Sequence, residues 1–306
     1  MKSPRAELVP HMEHYTFVLE DQPYIGFFQY GNERTPVYST DSCGFRVTHT
    51  TDGTATVADG RPPGPVRLLA GSSAVFGVGA SGDHATIPSR LGSRHAPGRP
   101  WLNFSGQSLN SAQELMLLTL FQHQLPEVAE IVLFSGVNNL VLSRLPAAQH
   151  GRHGAFFECG PAPDASTVPA PAERIAHATA LTVRHLGGWQ LLARALGARL
   201  TFVLQPLAPW VREEPAPQEK ALFDELDDVS NWRRLHNDIA SMEVGRAYAA
   251  ALREGCAALG VPFVDMNAEL GAATGPGDWL FVDRVHCVDA GYDAVARVLA
   301  GRLGTI

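Results

Sequence analysis

The sequence contains few cysteines, and they lie far apart in the chain. Cys43, Cys159, Cys256 and Cys287 are the only ones among the 306 residues, and no two of them form a C-x-x-C pair. Disulfide frameworks and structural zinc sites are recognised by characteristic cysteine spacings, so neither is indicated here. We therefore expect free thiols, no metal site and a cytoplasmic location.

Long apolar runs and an excess of positive charge are also missing. No apolar segment is long enough to span a bilayer, and no apolar core follows the basic residues of Met1–Glu7, so no secretory signal is expected. The formal net charge of −7 argues against a general affinity for nucleic acid or an anionic membrane. No G-x-G-x-x-G motif follows a predicted strand, so we expect no dinucleotide and no other cofactor.

The first 62 residues differ in pattern from the rest of the chain. Three segments there have strand composition, and Asp52-Gly53 is a plausible hairpin turn between the last two. These segments are His14–Glu20, Phe45–Thr50 and Thr54–Val57. A proline-rich stretch, Asp59–Pro65, forms a stiff linker to the first predicted strand of the larger part of the chain. We predict a small β-rich extension over residues 1–62, packed on a main domain over residues 63–306.

From residue 66 onward, short apolar runs alternate with helical patterns. The predicted buried strands are Val66–Ala70, Trp101–Phe104, Ile131–Phe134, Leu200–Pro206 and Val261–Asp265. Four helices are predicted. The first starts at Ser111, and the second covers Glu173–Ala198 with a potential break at Gly187-Gly188. The third runs from about Trp232 to Leu259, and the last covers Ala290–Leu303. This alternation predicts a parallel sheet sandwiched between helices.

Three stretches do not fit the alternation. Residues 146–171 are rich in proline and histidine without periodicity, which is typical of a lid or a disordered loop. Residues 210–228 are acidic and interrupted by prolines, and we expect their charges to form a solvated face. Residues 81–100 are expected to be a solvated loop, in which the neighbours Asp83 and His84 are too local a pair to indicate a catalytic site.

The segment Val66–Gly77 combines a strand with an unusual turn. An apolar run ends at Gly71, and Ser72 and Ser73 come directly after it. In parallel α/β sheets, ligands bind beyond the carboxyl ends of the strands, where a serine that opens a helix is placed to act as a nucleophile. Taken alone, the segment fits an ordinary strand-to-helix turn with a serine N-cap better.

Three further segments change that interpretation. They are Asn103-Phe104-Ser105-Gly106-Gln107-Ser108, Gly136-Val137-Asn138-Asn139 and Asp283-Arg284-Val285-His286. Together with the Gly-Ser-Ser turn, and in this order, they resemble the four sequence blocks of the SGNH/GDSL hydrolase superfamily. The resemblance extends from about Val66 to the C-terminus. It implies a flavodoxin-like three-layer α/β/α domain.

The resemblance also implies an activity and roles for three residues. Ser73 would be the nucleophile, His286 the general base and acid, and Asp283 the group that orients the histidine. The implied reaction is cleavage of an ester or thioester of a modest acyl group through an acyl-enzyme on Ser73. The only partner that it implies is a small-molecule ester or thioester.

Stabilisation of the oxyanion is implied for three blocks. The backbone amide of Ser73 and the side-chain amide of Asn138 would each donate to it. The second block would supply a further backbone amide. Aligned on Asn103, the family's usual glycine falls on Ser108, but we favour Gly106 because glycine permits unusual backbone angles.

Besides the second block, two positions depart from the family pattern. Ser72 and Asn139 both stand where the family usually has aspartate. Two other functions therefore stay open. An acyltransferase would use the same triad with an alcohol or amine in place of water, and a non-catalytic binding module could keep the fold without the activity.

Overall fold

The computed structural model describes residues 3–15, 19–60, 62–145, 153–157, 168–230 and 237–304. The strands of these residues are β1 (Glu20–Gln22), β2 (Gly26–Phe28), β3 (Thr48–Thr50), β4 (Gly53–Ala55), β5 (Val66–Gly71), β6 (Trp101–Ser105), β7 (Val128–Ser135), β8 (Arg199–Leu204) and β9 (Phe263–Asp265).

The helices of the same residues are α1 (Pro4–Leu8), α2 (Ser73–Phe76), α3 (Ile87–Arg90), α4 (Ser111–Phe121), α5 (Val137–Leu142), α6 (Pro171–Ala195), α7 (Ala208–Val211), α8 (Pro217–Val229), α9 (Met242–Leu259), α10 (Met266–Ala273) and α11 (Asp289–Leu303). None of the helices in the described part of the chain has the length and apolar character needed to cross a membrane.

A parallel sheet of five strands forms the centre of the protein, in the order β6-β5-β7-β8-β9. Alternate residues of each strand point to opposite faces. Leu69 and Val132 therefore join one apolar cluster, with α3, α10 and α11, whereas Leu68 and Ile131 join a second cluster, with α4, α6 and α9. The predicted three-layer α/β/α architecture is confirmed.

The strand order positions the loops that carry the predicted site residues. Numbered within the sheet, the order is 2-1-3-4-5, which is the flavodoxin-like arrangement. The chain leaves β5 toward β6 on one side and later returns to β7 on the other side. A crevice forms at the carboxyl ends of these strands, where the direction of winding reverses. Ser73 follows β5, the Gly106–Ser108 loop follows β6 and Asn138 follows β7.

The N-terminal extension contains two small antiparallel pairs, β1-β2 and β3-β4. The pairing of Thr48 with Ala55 confirms the predicted hairpin, but its turn lies at Thr51-Asp52, one residue before the predicted Asp52-Gly53, because Gly53 pairs with Thr50 as the first residue of β4. The strand predicted over His14–Glu20 is wrong at His14, which ends a 3-10 turn. Residues 16–18 lie outside the described residues, and β1 takes only the last residue of the predicted segment.

Arg46 joins the extension to the main domain. Its side chain is fully buried, and its Nε donates to Asp83 Oδ1 at 2.8 Å. Its Nη1 donates to the carbonyl oxygens of Phe76 and Gly77, both at 2.9 Å, and its Nη2 donates to that of Val37. A guanidinium of the extension therefore satisfies backbone carbonyls at the end of α2, the helix that begins with Ser73.

Several predicted elements have different bounds. The expectation of a solvated loop over residues 81–100 is wrong for residues 83–95, which form short helical turns whose Ile87 and Leu91 are buried. Helix α6 runs unbroken through Gly187-Gly188, where an added Cβ at Gly188 would lie 2.6 Å from Leu115. The helix predicted from about Trp232 begins at Met242, and residues 231–236 lie outside the described part.

Candidate active site

Ser73 follows a tight turn, because only Ser72 separates the end of β5 from the start of α2. β5 ends at Gly71, and an added Cβ there would lie 2.3 Å from the carbonyl oxygen of Phe134, so the close approach of β7 requires glycine. Helix α2 begins at Ser73 and ends after one turn, because Gly77 adopts a left-handed φ of 90°. Ser73 is the first residue of the helix, where the N–H group has no partner within the helix.

Three of the predicted residues come together here in a hydrogen-bonded row. Ser73 Oγ lies 2.8 Å from His286 Nε2, and His286 Nδ1 lies 2.7 Å from Asp283 Oδ2. All three side chains are buried. The distances fit a nucleophile, a base and an orienting carboxylate within hydrogen-bond reach of one another.

The D-x-x-H spacing has a local cause. The other oxygen of the Asp283 carboxylate, Oδ1, accepts hydrogen bonds from the backbone N–H groups of Val285 and His286, both at 2.8 Å. These bonds close a turn that folds the imidazole back onto the carboxylate. Burial raises the pKa of Asp283, but the adjacent His286 and the two backbone donors outweigh it, and the pKa lies below its usual range.

The acidic segment 210–228 holds this turn in place. Glu219 accepts from the backbone N–H groups of Leu280 and Phe281, at 2.8 and 2.9 Å, and Arg284 makes a bidentate pair with Asp227 at 2.8 Å. Glu219 is buried. The expectation that these charges form only a solvated face is therefore wrong for Glu219 and Asp227, and sequence reasoning missed both as supports of the turn that carries Asp283 and His286.

Ser72 occupies the N-cap position of α2, but its side chain makes no capping bond. Its Oγ accepts from the backbone N–H of Leu109 and from the side-chain amide of Asn138, both at 2.9 Å. The amide of Asn138 also donates to the carbonyl oxygen of Leu109 at 2.7 Å. Ser72 therefore ties together the loop after β6 and the first turn of α5, beside Ser73.

The unusual backbone in the second block lies at Ser108. Its φ is 58°, in the left-handed region, and Gly106 is not among the glycines with positive φ. Position 106 has no room for a larger residue, because an added Cβ would lie 2.7 Å from the buried ring of Phe28. The argument from backbone angles that favoured Gly106 therefore applies to Ser108 instead. Ser108 is the residue before Leu109, whose N–H is bound to Ser72.

The fold agrees with that of known structures at low sequence identity. A member of the lipolytic G-D-S-L family from Veillonella parvula matches with a TM-score of 0.50 at 12% identity, over 79% of this chain and 100% of that one. This chain has the SGNH/GDSL hydrolase fold.

Two other structures with lower TM-scores are also similar to the chain. A carbohydrate acetylesterase from Sinorhizobium meliloti matches at 12% identity with a TM-score of 0.48, over 79% of this chain and 99% of that one. A GDSL-like lipase from Bacteroides thetaiotaomicron matches at 16% identity with a TM-score of 0.45, over 78% of this chain and 87% of that one. No protein-family model and no curated protein sequence matches the chain.

Within this SGNH fold, the side chain of Asn139 is hydrogen-bonded to residues of two neighbouring helices. Its amide donates to Ser111 Oγ at 2.6 Å and Thr182 Oγ1 at 2.7 Å, and its Oδ1 accepts from the Ser111 N–H. Ser111 Oγ lies 2.7 Å from His185 Nδ1. Burial lowers the pKa of His185 to about 4, so the ring is neutral at pH 7. Asn139 thus connects α5 to α4 and α6.

Asp83 and Cys287 have surroundings that differ from those of Ser73, His286 and Asp283. Asp83 pairs with Arg46 and accepts from the Ser39 N–H. Cys287, the neighbour of His286, is buried, and burial raises the pKa of its thiol well above the usual value. Within the described ranges, no three or more His, Cys, Asp or Glu side chains are grouped closely enough to hold a metal ion.

Proposed function

We propose that this protein is a serine hydrolase that cleaves an ester or thioester of a small molecule through an acyl-enzyme on Ser73. The observation that carries the proposal is the row of contacts from Ser73 Oγ to His286 Nε2 at 2.8 Å and from His286 Nδ1 to Asp283 Oδ2 at 2.7 Å. The Veillonella parvula protein of the same fold belongs to a lipolytic family, which supports ester cleavage as the reaction class.

In the first half of the reaction, Ser73 Oγ attacks the carbonyl carbon of the substrate while His286 Nε2 takes the hydroxyl proton. Asp283 keeps the other ring nitrogen protonated and stabilises the imidazolium. The tetrahedral intermediate then collapses, the bond to the leaving oxygen or sulfur breaks, and His286 returns the proton to the leaving group. The acyl group stays on Ser73.

Three donors are proposed for the oxyanion. The N–H of Ser73 opens α2, and the backbone amide of Ser108 lies in the left-handed turn next to the Leu109 anchor. Asn138 is the third donor, and it would exchange one of its present acceptors, Ser72 Oγ or the Leu109 carbonyl, for the substrate oxygen. Loss of one oxyanion donor costs about 3 kcal/mol of transition-state stabilisation.

In the second half, His286 removes a proton from water, the hydroxide attacks the acyl-enzyme, and the acid leaves with regeneration of Ser73. An acyltransferase would differ only at this step, because an alcohol or amine would replace water. Competition between added alcohols and water for the acyl group therefore separates the two activities.

The decisive experiment is labelling with a fluorophosphonate probe, followed by peptide mass spectrometry. We expect the folded wild-type protein to carry one adduct on Ser73. No adduct should form on Ser73→Ala, which lacks the hydroxyl. None should form on His286→Ala or on heat-denatured wild-type protein, because the hydroxyl of Ser73 then lacks its base.

Ser72→Ala is the matched control for the site of labelling, since it removes the neighbouring hydroxyl. Its adduct should remain on Ser73. An adduct on Ser72 in the wild type would overturn the assignment of the nucleophile. If no adduct forms and p-nitrophenyl acetate is not hydrolysed faster than by Ser73→Ala, the hydrolase proposal fails in favour of a non-catalytic binding module.

The predicted cytoplasmic location stays a prediction.

A further inference from the structure

A cavity of about 310 Å³ lies beside the loop that follows β6. Its apolar wall comes from Leu19 and Phe27 of the extension and from Phe156 and Phe157, and Ser108 contributes to its polar side. Small-molecule sites are typically concave, mainly apolar and about 300–1,000 Å³ in volume, with a few polar groups. The cavity fits that description at its small end.

The cavity is linked to Ser73 by short covalent and hydrogen-bonded steps. Ser108 lines the cavity, and the N–H of the next residue, Leu109, donates to Ser72 Oγ at 2.9 Å. Adjacent residues have Cα atoms only about 3.8 Å apart, and Ser72 directly precedes Ser73. Ser108 and Ser73 are therefore connected through two peptide bonds and one hydrogen bond.

The aromatic side chains of the wall are unusually exposed. Phe27, Phe156 and Phe157 are 38%, 42% and 39% exposed, whereas Phe28, the neighbour of Phe27 in β2, is 1% exposed. Strand alternation sends Phe28 into the core and Phe27 to the cavity. A cluster of exposed apolar rings around a concavity is typical of a ligand-binding surface.

Two hydrogen bonds fix the wall relative to the site. Gln113 Nε2 donates to the carbonyl oxygen of Ile25 at 2.7 Å, which holds the β1-β2 hairpin on α4. Asn110 Nδ2 donates to the carbonyl oxygen of Ala155 at 2.8 Å, which holds the backbone next to Phe156 on the N-cap of the same helix. The hairpin that carries Phe27 and the segment that carries Phe156 are therefore both held on α4 and its N-cap, directly after the loop that contains Ser108.

We propose that this cavity binds the apolar group of the substrate ester, an alkyl chain of several carbons or an aryl ring, so that the N-terminal extension and residues 153–157 set the selectivity. This inference rests on the proposed hydrolase function, because the carbonyl must lie at Ser73 for its apolar group to reach past Ser108. Burial of each further methylene then increases the rate until the cavity is full.

The test measures kcat/KM in two substrate series. One series keeps p-nitrophenol as the leaving group and lengthens the acyl chain from acetate to butyrate and hexanoate. The other keeps the acetyl group and lengthens the alcohol from ethanol to butanol and hexanol, and the release of acid is the measured signal. We expect kcat/KM of the wild type to rise with chain length in one of the two series, which identifies the end of the ester that the cavity holds.

Phe27→Ala, Phe156→Ala and Phe157→Ala are the test variants. Their side chains are exposed, so loss of the ring should not prevent folding. We expect each to lower kcat/KM for the longest substrate of the responding series by about tenfold, with a much smaller effect on the acetate. Leu191→Ala, which removes another exposed apolar side chain on α6, is the control and should change neither value by more than about twofold.

Failure of the inference and failure of the hydrolase proposal give different results. If Ser73-dependent hydrolysis is observed but the chain-length profiles of all three variants match that of Leu191→Ala, the cavity does not hold the apolar group. If the wild type hydrolyses nothing, binding of p-nitrophenyl hexanoate to Ser73→Ala is measured by calorimetry. If the additional change Phe156→Ala weakens this binding about tenfold, the cavity binds the apolar group although the protein does not hydrolyse the ester. If Phe156→Ala leaves the binding unchanged, or if no binding is measured, the inference about the cavity is wrong.

Discussion

At the residue scale, Ser72 acts as a hydrogen-bond acceptor rather than as a helix cap. Both of its bonds are accepted, one from Leu109 and one from Asn138. A carboxylate could accept the same two bonds, so the serine found where the family usually has aspartate keeps the essential property of that position. This departure from the family pattern therefore does not argue against activity.

Substitution of Ser72 tests this role. We expect Ser72→Ala to lower kcat by about tenfold with little change in KM, because the Ser108–Leu109 loop and Asn138 lose their common anchor close to the oxyanion. Ser72→Asp restores an acceptor and should stay nearer to the wild type than Ser72→Ala. Steady-state kinetics on p-nitrophenyl acetate checks both, and equal losses in the two variants would argue against the anchor.

Glu114 is a second residue whose environment gives a measurable effect. Its carboxyl is buried against Ser135, whose Oγ lies 2.9 and 2.7 Å from the two carboxyl oxygens. Burial raises its pKa from 4.5 to about 8, although the hydrogen bond of Ser135 opposes the change. The folded protein therefore keeps a proton at pH 7 that the unfolded chain releases.

The sign of the effect on stability comes from this difference in bound protons. Between pH 4.5 and about 8 the Glu114 carboxyl binds more protons in the folded than in the unfolded state, so its contribution to the free energy of unfolding falls as pH rises, by at most about 1.4 kcal/mol per pH unit. Glu114→Gln removes the titration. Urea unfolding at several pH values should show the variant gaining stability relative to the wild type as pH rises, whereas parallel curves would contradict the assignment.

At the element scale, the loop after β6 depends on two residues for opposite reasons. Gly106 is needed because Phe28 packs against it, and Ser108 is tolerated in a left-handed conformation that glycine would adopt more easily. The loop carries both the proposed oxyanion amide and one side of the cavity. Packing at Gly106 therefore fixes the position of Ser108.

Two substitutions separate these roles. We expect Gly106→Ala to destabilise the protein by about 1–3 kcal/mol, because its Cβ must displace the ring of Phe28. Ser108→Gly should change the stability by less than about 1 kcal/mol, since relief of the left-handed strain is offset by the greater freedom of the unfolded chain. Thermal unfolding measures both, and a larger loss for Ser108→Gly than for Gly106→Ala would contradict the packing constraint at Gly106.

At the scale of the whole molecule, Arg46 connects the extension to α2, the helix that begins with Ser73. Its guanidinium and the carboxylate of Asp83 form a buried pair at 2.8 Å, with 0% and 12% of the two side chains exposed. The same guanidinium satisfies the carbonyls of Phe76 and Gly77. We therefore propose that residues 1–62 and 63–306, though different in pattern, unfold as one cooperative unit.

Arg46→Met tests that proposal. Loss of the guanidinium removes the cationic partner of a largely buried carboxylate and one donor from each of three backbone carbonyls, which should destabilise the whole protein by about 3–5 kcal/mol. We expect circular dichroism and labelling of Ser73 to be lost in one transition at a lower temperature. Lys220→Met, which breaks an exposed pair with Asp224, is the control and should have little effect. Two separate transitions would show that the extension is an independent unit.

Much of the fold could be predicted from local pattern. Each strand of the parallel sheet is an apolar run, because both of its faces are buried, and the alternation with helices predicts the layers. The separation of Asp283 and His286 is also local, since a carboxylate that accepts from the second and third following amides requires that spacing. These features depend on neighbours in the chain, which the sequence displays directly.

Contacts between distant segments could be seen only in the folded chain. The role of Glu219 under the Asp283 turn, the left-handed backbone at Ser108, the burial of Arg46 and the cavity beside Phe27 all join parts of the chain that no periodicity connects. The physical reason is that a short pattern states which face of an element is apolar, whereas close packing determines what that face meets. The order of the residues was thus enough to predict the sheet and the spacing of the candidate triad, whereas tertiary packing established how the site is held and what can enter it.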